Sequence, residues 1–182
     1  MERNNVDELL EFNKNFVREE KYKGFSAGKF PKKKIAIIAC MDTRLVRLLP
    51  ESLGIKDGDV KMIKNAGGIV RDPYGSEIRS LLVAILELGV TDIMVIGHTE
   101  CGAGKISGDE MRSRLLDKGI DIDNVDLPDG LDFSEWMRGF SSGCDSVRES
   151  VRIIESHPLI PDGIRVRGFI IDTETAELTP VD

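Results

Sequence analysis

The chain has 182 residues and 20.2 kDa, with 41% hydrophobic and 31% charged residues, which fits one domain with a substantial core and excludes a disordered or fibrous protein. Its 25 basic against 32 acidic side chains give a formal net charge of −7, which argues against a broad phosphate-backbone footprint and so against a nucleic-acid partner. No stretch approaches the roughly 20 apolar residues of a membrane span. The polar start Met1-Glu2-Arg3-Asn4-Asn5 is unlike a signal peptide, and three cysteines make no disulfide framework, so a reducing cytoplasm is the expected compartment.

Val6 to Tyr22 sets Leu9, Leu10, Phe12, Phe16 and Val17 among charged residues, which predicts one or two amphipathic helices without local cover. Phe25 to Pro31 reads as a linker. Residues 1–30 are therefore expected as a helical arm and linker, and 31–182 as the α/β core of the same domain. Lys32-Lys33-Lys34 is a solvated strand entrance. Residues 34–39, almost wholly apolar, predict a central parallel strand. Leu45, Val46, Leu48 and Leu49 suggest a short helix ended by Pro50, and Asp59 to Ile63 a second strand running into Asn65-Ala66-Gly67-Gly68. Ser76 is placed to cap a helix whose face is Ile78, Leu81, Leu82, Ile85 and Leu86, closed near Gly89. Thr91 to Ile96 predicts the next strand, leading to His98. Strand and helix alternate, so the expected fold is a mainly parallel sheet with helices on both faces.

Residues 103–118 are compatible with a helix, and the acidic stretch Asp121 to Gly130 reads as a solvated connection because a calcium loop's spacing is missing. Phe133, Trp136, Met137, Phe140, Cys144, Val147, Val151 and Ile154 recur at three- and four-residue steps, predicting one long helix with those residues buried. Cys144 is then a packed small hydrophobe, and His157 a helix cap or surface residue. Arg71, Asp72 and Tyr74 are expected in a solvated loop. Ile164 to Ile171 and Ala176 to Leu178 predict a terminal hairpin at a sheet edge.

Chemistry concentrates after two of the strands. Cys40-Met41-Asp42-Thr43-Arg44 follows the first apolar run, and Gly97-His98-Thr99-Glu100-Cys101-Gly102 follows the third. Open α/β sheets gather ligands beyond the carboxyl ends of their strands. Cys40, His98 and Cys101 there offer two thiolates and an imidazole, a set suited to zinc with a fourth position left for water. A bidentate pair between Asp42 and Arg44 would keep the carboxylate ionised, ready to orient a zinc-bound water or to swing onto the metal itself. Two thiolates lower that water's pKa less than three neutral imidazoles do, so activity is expected to favour alkaline pH. Asn65-Ala66-Gly67-Gly68 allows close backbone approach, with Asn65 as polar support. Gly102-Ala103-Gly104-Lys105 lacks the spacing of a phosphate loop.

These paired motifs resemble those of the β-class carbonic anhydrases. Cys40, Asp42 and Arg44 match the first family motif, His98, Cys101 and Gly102 the second, and Asn65-Ala66-Gly67 and Val166-Arg167-Gly168-Phe169 match further segments. The likeness runs from about Lys33 to Leu178 and is nearest the compact bacterial and archaeal members. It implies one zinc per subunit on Cys40, His98 and Cys101, with Asp42 and Arg44 as the catalytic dyad and Asp42 as a fourth ligand in a closed state. The implied reaction is reversible hydration of carbon dioxide to bicarbonate and a proton. It also implies a homodimer or a larger assembly of dimers, with N-terminal helices reaching across the partner. Relatives with the same ligands hydrolyse carbon disulfide or carbonyl sulfide, so that activity stands as the alternative, beside a non-catalytic zinc protein permanently closed by Asp42.

Overall fold

In a computed structural model that describes residues 4–25 and 27–182, the core is a five-stranded sheet in the order β2-β1-β3-β4-β5. Residues 1–3 of the polar start and Ser26 of the linker lie outside the described residues. The strands are β1 Ile35–Cys40, β2 Val60–Asn65, β3 Asp92–His98, β4 Arg165–Ile171 and β5 Leu178–Val181. The first four are parallel, and β5 turns back antiparallel on β4 as the expected edge hairpin. The central strand β1 has its residues 36–40 buried, which explains why its sequence shows no polar alternation.

Both sheet faces carry apolar side chains. Ala36, Ile38, Ile93 and Val95 pack with α3 (Ser76–Leu86) and α6 (Gly143–Glu155) on one face. Ile37, Ala39, Ile96, Phe169 and Ile171 pack with Leu45 and Leu49 of α2 (Leu45–Ser52) on the other. The N-terminal segment forms α1 (Asn5–Arg18), capped by the Asn4 side chain, and then a 3-10 turn at Lys21–Gly24. No residue of α1 is buried, and Phe16 meets Phe25 at 5.9 Å as the helix folds onto that turn.

Several local expectations are corrected. Pro50 lies inside α2 rather than ending it; the missing N–H costs one bond, and the Pro50 carbonyl is taken up by Ile55 N–H at 2.8 Å. Gly75, not Ser76, is the N-cap of α3. The 103–118 stretch is a 3-10 turn at Gly102–Lys105 and then α4 (Gly108–Leu116), started by the Ser107 side chain. The acidic connection contains a 3-10 turn at Ile122–Asn124 that buries Ile122.

The largest correction concerns the expected long helix, which is two: α5 (Phe133–Met137) and α6, separated by 138–142. The apolar period continues across the break, but Gly139 lies so close to the loop after Cys101 that an added Cβ would sit 2.4 Å from the Ala103 carbonyl oxygen. That contact fixes an extended crossing where a helix would continue. With the break, Trp136 is 58% exposed instead of core, Met137 is only partly covered, and Cys144 is exposed at the start of α6. His157 is buried at 4% exposure: its Nε2–H donates to the Pro73 carbonyl at 2.7 Å, and Nδ1 accepts from Leu159 N–H at 3.2 Å.

Candidate metal centre

Parallel pairing of β1 with β3 brings the ends of both motif strands together. Cys40 is the last residue of β1, His98 the last of β3, and Cys101 follows across a tight turn. One donor atom from each of the three falls within 4.8 Å of the others. The two sulfurs are 3.8 Å apart. Two zinc–sulfur bonds of about 2.3 Å opening at a tetrahedral angle give about that separation.

The imidazole completes the fit. His98 Nδ1–H donates to the Thr99 carbonyl at 2.8 Å, which leaves the Nε2 lone pair free. Nε2 is buried and has no hydrogen-bond partner. A buried polar atom left unpaired is costly in a native fold, and a metal ion resolves the cost. Burial pushes the Cys101 thiol up, and the neighbouring Cys40 sulfur adds to that, while amide N–H groups of Ala103 and Gly104 pull against it.

Backbone contacts hold the Cys40 end of β1. Met41 N–H donates to the Asn65 carbonyl at 2.8 Å, and Lys64 Nζ donates to the Cys40 carbonyl at 3.1 Å. Burial lowers the pKa of Lys64, with Cys40 and Asp42 drawing it back up. The turn after β2 is clamped by Asn65, whose amide donates to the Ile69 carbonyl (2.6 Å) and Glu77 Oε1 (2.9 Å) and accepts from Ile69 N–H (3.1 Å). Within that turn Gly68 has φ of 66° and presses on β1, where an added Cβ would lie 2.5 Å from Cys40 N.

Asp42 and Arg44 form the bidentate pair expected from their spacing. Arg44 Nε donates to Oδ1 at 3.0 Å and Nη2 to Oδ2 at 2.8 Å, with the Arg44 backbone N–H adding a third bond at 2.9 Å. The guanidinium bonds, and then the backbone N–H, hold the Asp42 carboxyl well below the usual carboxylate range. Asp42 Oδ2 is also 3.9 Å from His98 Nε2, so the pair faces the donor cluster.

The structure thus brings all five expected site residues together. His157 stays apart, beside Tyr74 in an apolar cleft on α3. Cys144 is outside the donor cluster but lines a cavity of ≈420 Å³ next to His98 and Cys101. Arg71 and Asp72 line another cavity beside Asn65, where Arg71 donates to carbonyls of Glu135, Trp136 and Gly139. The sequence reading missed Lys64, Thr99, Glu100 and Thr173 as neighbours of the site. Thr99 and Glu100 lie inside the second motif and Lys64 beside Asn65, which could have flagged them, but no local signal marks Thr173.

Comparison with known proteins agrees with this geometry. The family model described as carbonic anhydrase matches residues 35–178. YtiB of Bacillus subtilis, named provisionally as a carbonic anhydrase, is 43% identical over 175 residues, covering 95% of this chain and 94% of that protein. A carbon disulfide hydrolase of Acidithiobacillus thiooxidans is 34% identical over 159 residues, 81% of this chain and 77% of its own. The crystal structure of β-carbonic anhydrase isoform I from Trichomonas vaginalis superposes with a TM-score of 0.86 at 30% identity, covering 98% of both chains. With sheet order, donor set and these likenesses in agreement, the chain belongs to the β-carbonic anhydrase family.

Proposed function

We propose that the chain hydrates carbon dioxide reversibly to bicarbonate and a proton, using one zinc ion per subunit held by Cys40, His98 and Cys101. The observation that carries this reading is the convergence of two sulfurs and a buried, unpartnered imidazole nitrogen beside an ionised carboxylate. A zinc ion bound there would supply Lewis acidity and make a water-derived nucleophile available near neutral pH.

The chain's own residues supply direction. His98 Nδ1–H is held by the Thr99 carbonyl, which turns Nε2 toward the cluster. Asp42, kept ionised by Arg44, can only accept hydrogen bonds. An oxygen nucleophile beside it turns its proton toward Oδ2, and its lone pair is left to face the carbon of carbon dioxide. Bicarbonate carries one O–H and satisfies the same acceptor, whereas a carbonate dianion is repelled. His157 lies apart from the donor cluster with both ring nitrogens engaged, so that ring offers no relay for the released proton.

Stopped-flow hydration of carbon dioxide by zinc-loaded protein tests the reading, with Asp42→Asn and Cys101→Ser alongside. Rapid hydration lost in both variants supports it; full zinc occupancy with no hydration overturns it. The carbon disulfide hydrolase relative motivates one alternative reaction on the same residues. Sulfide release from carbon disulfide, without carbon dioxide hydration, would assign that reaction instead. A zinc-loaded protein inactive in both assays would be the closed, non-catalytic form.

The assembly reading rests on two uncovered apolar surfaces. Val6, Leu9, Leu10, Phe12 and Val17 of α1 are exposed, and Ile35, Met94, Arg165, Arg167 and Phe169 line an open cavity of ≈410 Å³ on the sheet face that α2 leaves bare. A parallel sheet ordinarily buries both faces. A second copy's α1, with Asp7, Glu8 and Glu11 to meet Arg167, is the cover we assign, Arg165 being already paired with Asp92, which makes the working unit a dimer or an assembly of dimers. Leu9→Ser with Phe12→Ser should shift the mass measured by light scattering toward the monomer. No described helix is long and apolar enough to cross a membrane. The three free thiols suit a reducing compartment such as the cytoplasm.

A further inference from the structure

The Asp42–Arg44 pair is gripped from its far side by the Glu100 carbonyl of the second motif and by Thr173, which lies outside both motifs. Arg44 Nη1 donates to Thr173 Oγ1 at 3.4 Å, and Nη2 donates to the Glu100 carbonyl at 3.2 Å as well as to Asp42. Thr173 stands in the turn between β4 and β5, 129 positions along the chain from Arg44. It is itself fixed. Its N–H donates to Thr99 Oγ1 at 3.0 Å, the two hydroxyls pair at 3.1 Å, and Thr99 N–H donates to the Ile171 carbonyl at 3.0 Å. Asp172 Oδ1 then pins the turn by accepting from Glu174 N–H at 2.8 Å and Thr175 N–H at 2.7 Å. Because the Thr99 carbonyl receives His98 Nδ1–H, one network runs from the imidazole through both threonines to the guanidinium.

Asp42 has a second place to go. Its Oδ2, 3.9 Å from the His98 donor atom, needs only a small rotation to become a ligand beside that nitrogen. Whether it turns depends on how firmly the guanidinium holds it, and the guanidinium is only as fixed as its other partners. We propose that Thr173 is a positioning residue which, by anchoring Arg44, keeps Asp42 off the fourth metal position and the site open. This inference rests on the metal-site reading above and adds a residue to it. The hairpin thereby gains a role beyond closing the sheet edge.

Thr173→Val removes the hydroxyl at nearly constant volume, and Thr173→Ser keeps it. Each protein is loaded with cobalt(II), whose thiolate-to-metal absorption reports an assembled site. Thiocyanate titration, followed in the cobalt d–d bands, then reads whether the fourth position is open. The Val variant is expected to bind thiocyanate about tenfold more weakly than the parent, the scale seen when a supporting hydrogen bond is removed. Its zinc form should lose about tenfold in kcat/KM for carbon dioxide, while Thr173→Ser stays within about twofold on both measures. Parental thiocyanate affinity in the Val variant overturns the proposal, as does a Ser variant as impaired as Val. Should the Val variant fail to fold, Thr173→Ala is read by the same criteria. A parent that binds cobalt but hydrates no carbon dioxide sinks the activity reading alone, since thiocyanate still decides the role of Thr173. A parent that binds no metal overturns both.

Discussion

Gly68→Ala tests whether the turn after β2 sets the position of a metal ligand. The alanine Cβ would lie 2.5 Å from Cys40 N, 2.8 Å from Ala39 C and 3.0 Å from the Ile96 carbonyl oxygen, all backbone atoms of buried strands. No side chain can move aside to make room. The backbone conformation, with φ at 66°, adds about 1–2 kcal/mol for a residue with a Cβ. Forcing β1 outward adds about 1–3 kcal/mol, the usual cost of overpacking. Together these predict a loss of about 2–5 kcal/mol, or roughly 6–15 °C in Tm at about 3 °C per kcal/mol. The displacement falls on Cys40, and sites of this kind tolerate only about 0.5 Å of misplacement, so metal affinity should fall along with stability. Gly67→Ala is the internal control. Its nearest obstacle is the rim of the Phe140 ring at 3.0 Å, which can yield, so only the conformational cost of about 1–2 kcal/mol is expected. Urea unfolding of the metal-free proteins and chelator competition for zinc measure the two quantities. A Gly68→Ala protein within 1 kcal/mol of the parent, by the same scale, and with parental zinc affinity would refute the pinning argument.

Other expectations are simpler. Zinc at about 100 times its dissociation constant should raise stability by about 2.7 kcal/mol, seen as a Tm rise that a chelator reverses and Cys40→Ser abolishes; an equal rise in that variant would point to binding elsewhere. Ser150→Ala should cost about 1–3 kcal/mol in urea, because the fully buried hydroxyl accepts from Val70 N–H at 2.9 Å and the amide is left unpaired. Arg165, at 2.7 Å from Asp92 Oδ2, holds that carboxyl below its ordinary range, so the pair's contribution is present above about pH 4 and lost as pH falls through the lowered pKa. Asp92→Asn should cost about 0.5–1 kcal/mol at pH 7, given the exposed arginine, and the gap should close in acid; a gap that widens on acidification contradicts the pairing.

The convergence of the five candidate residues was legible because each sits at or just beyond the end of an apolar strand, where local spacing fixes what a side chain can reach. Asp42 and Arg44, two residues apart, needed no tertiary information to be paired. Thr173 is the opposite case: its contact with Arg44 exists only because β5 folds back on β4, and nothing near it in sequence announces a partner. The helix break at 138–142 was hidden by a continuing apolar period. What stops the helix is the Gly139 backbone against Ala103, a long-range contact that periodicity does not register. Trp136 and Cys144 were misplaced by the same error. His157 follows α6 as a capping residue would, yet the loop at Pro73 crosses it and takes it into the interior.

β1 and β3 are neighbours in the sheet although α2, β2 and α3 separate them in the chain. A chain emerging from its N-terminus therefore carries Cys40 as a solitary thiol until β3 has been made and docked. In a small zinc domain neighbouring ligands can capture an ion early, whereas here the full donor set exists only once β1 and β3 are paired. An ion held by all three donors would tie β1 to β3, and could do so only after the two strands have met. In a refolding experiment, the time course of metal uptake would be a clock for one event, the docking of β3 on β1.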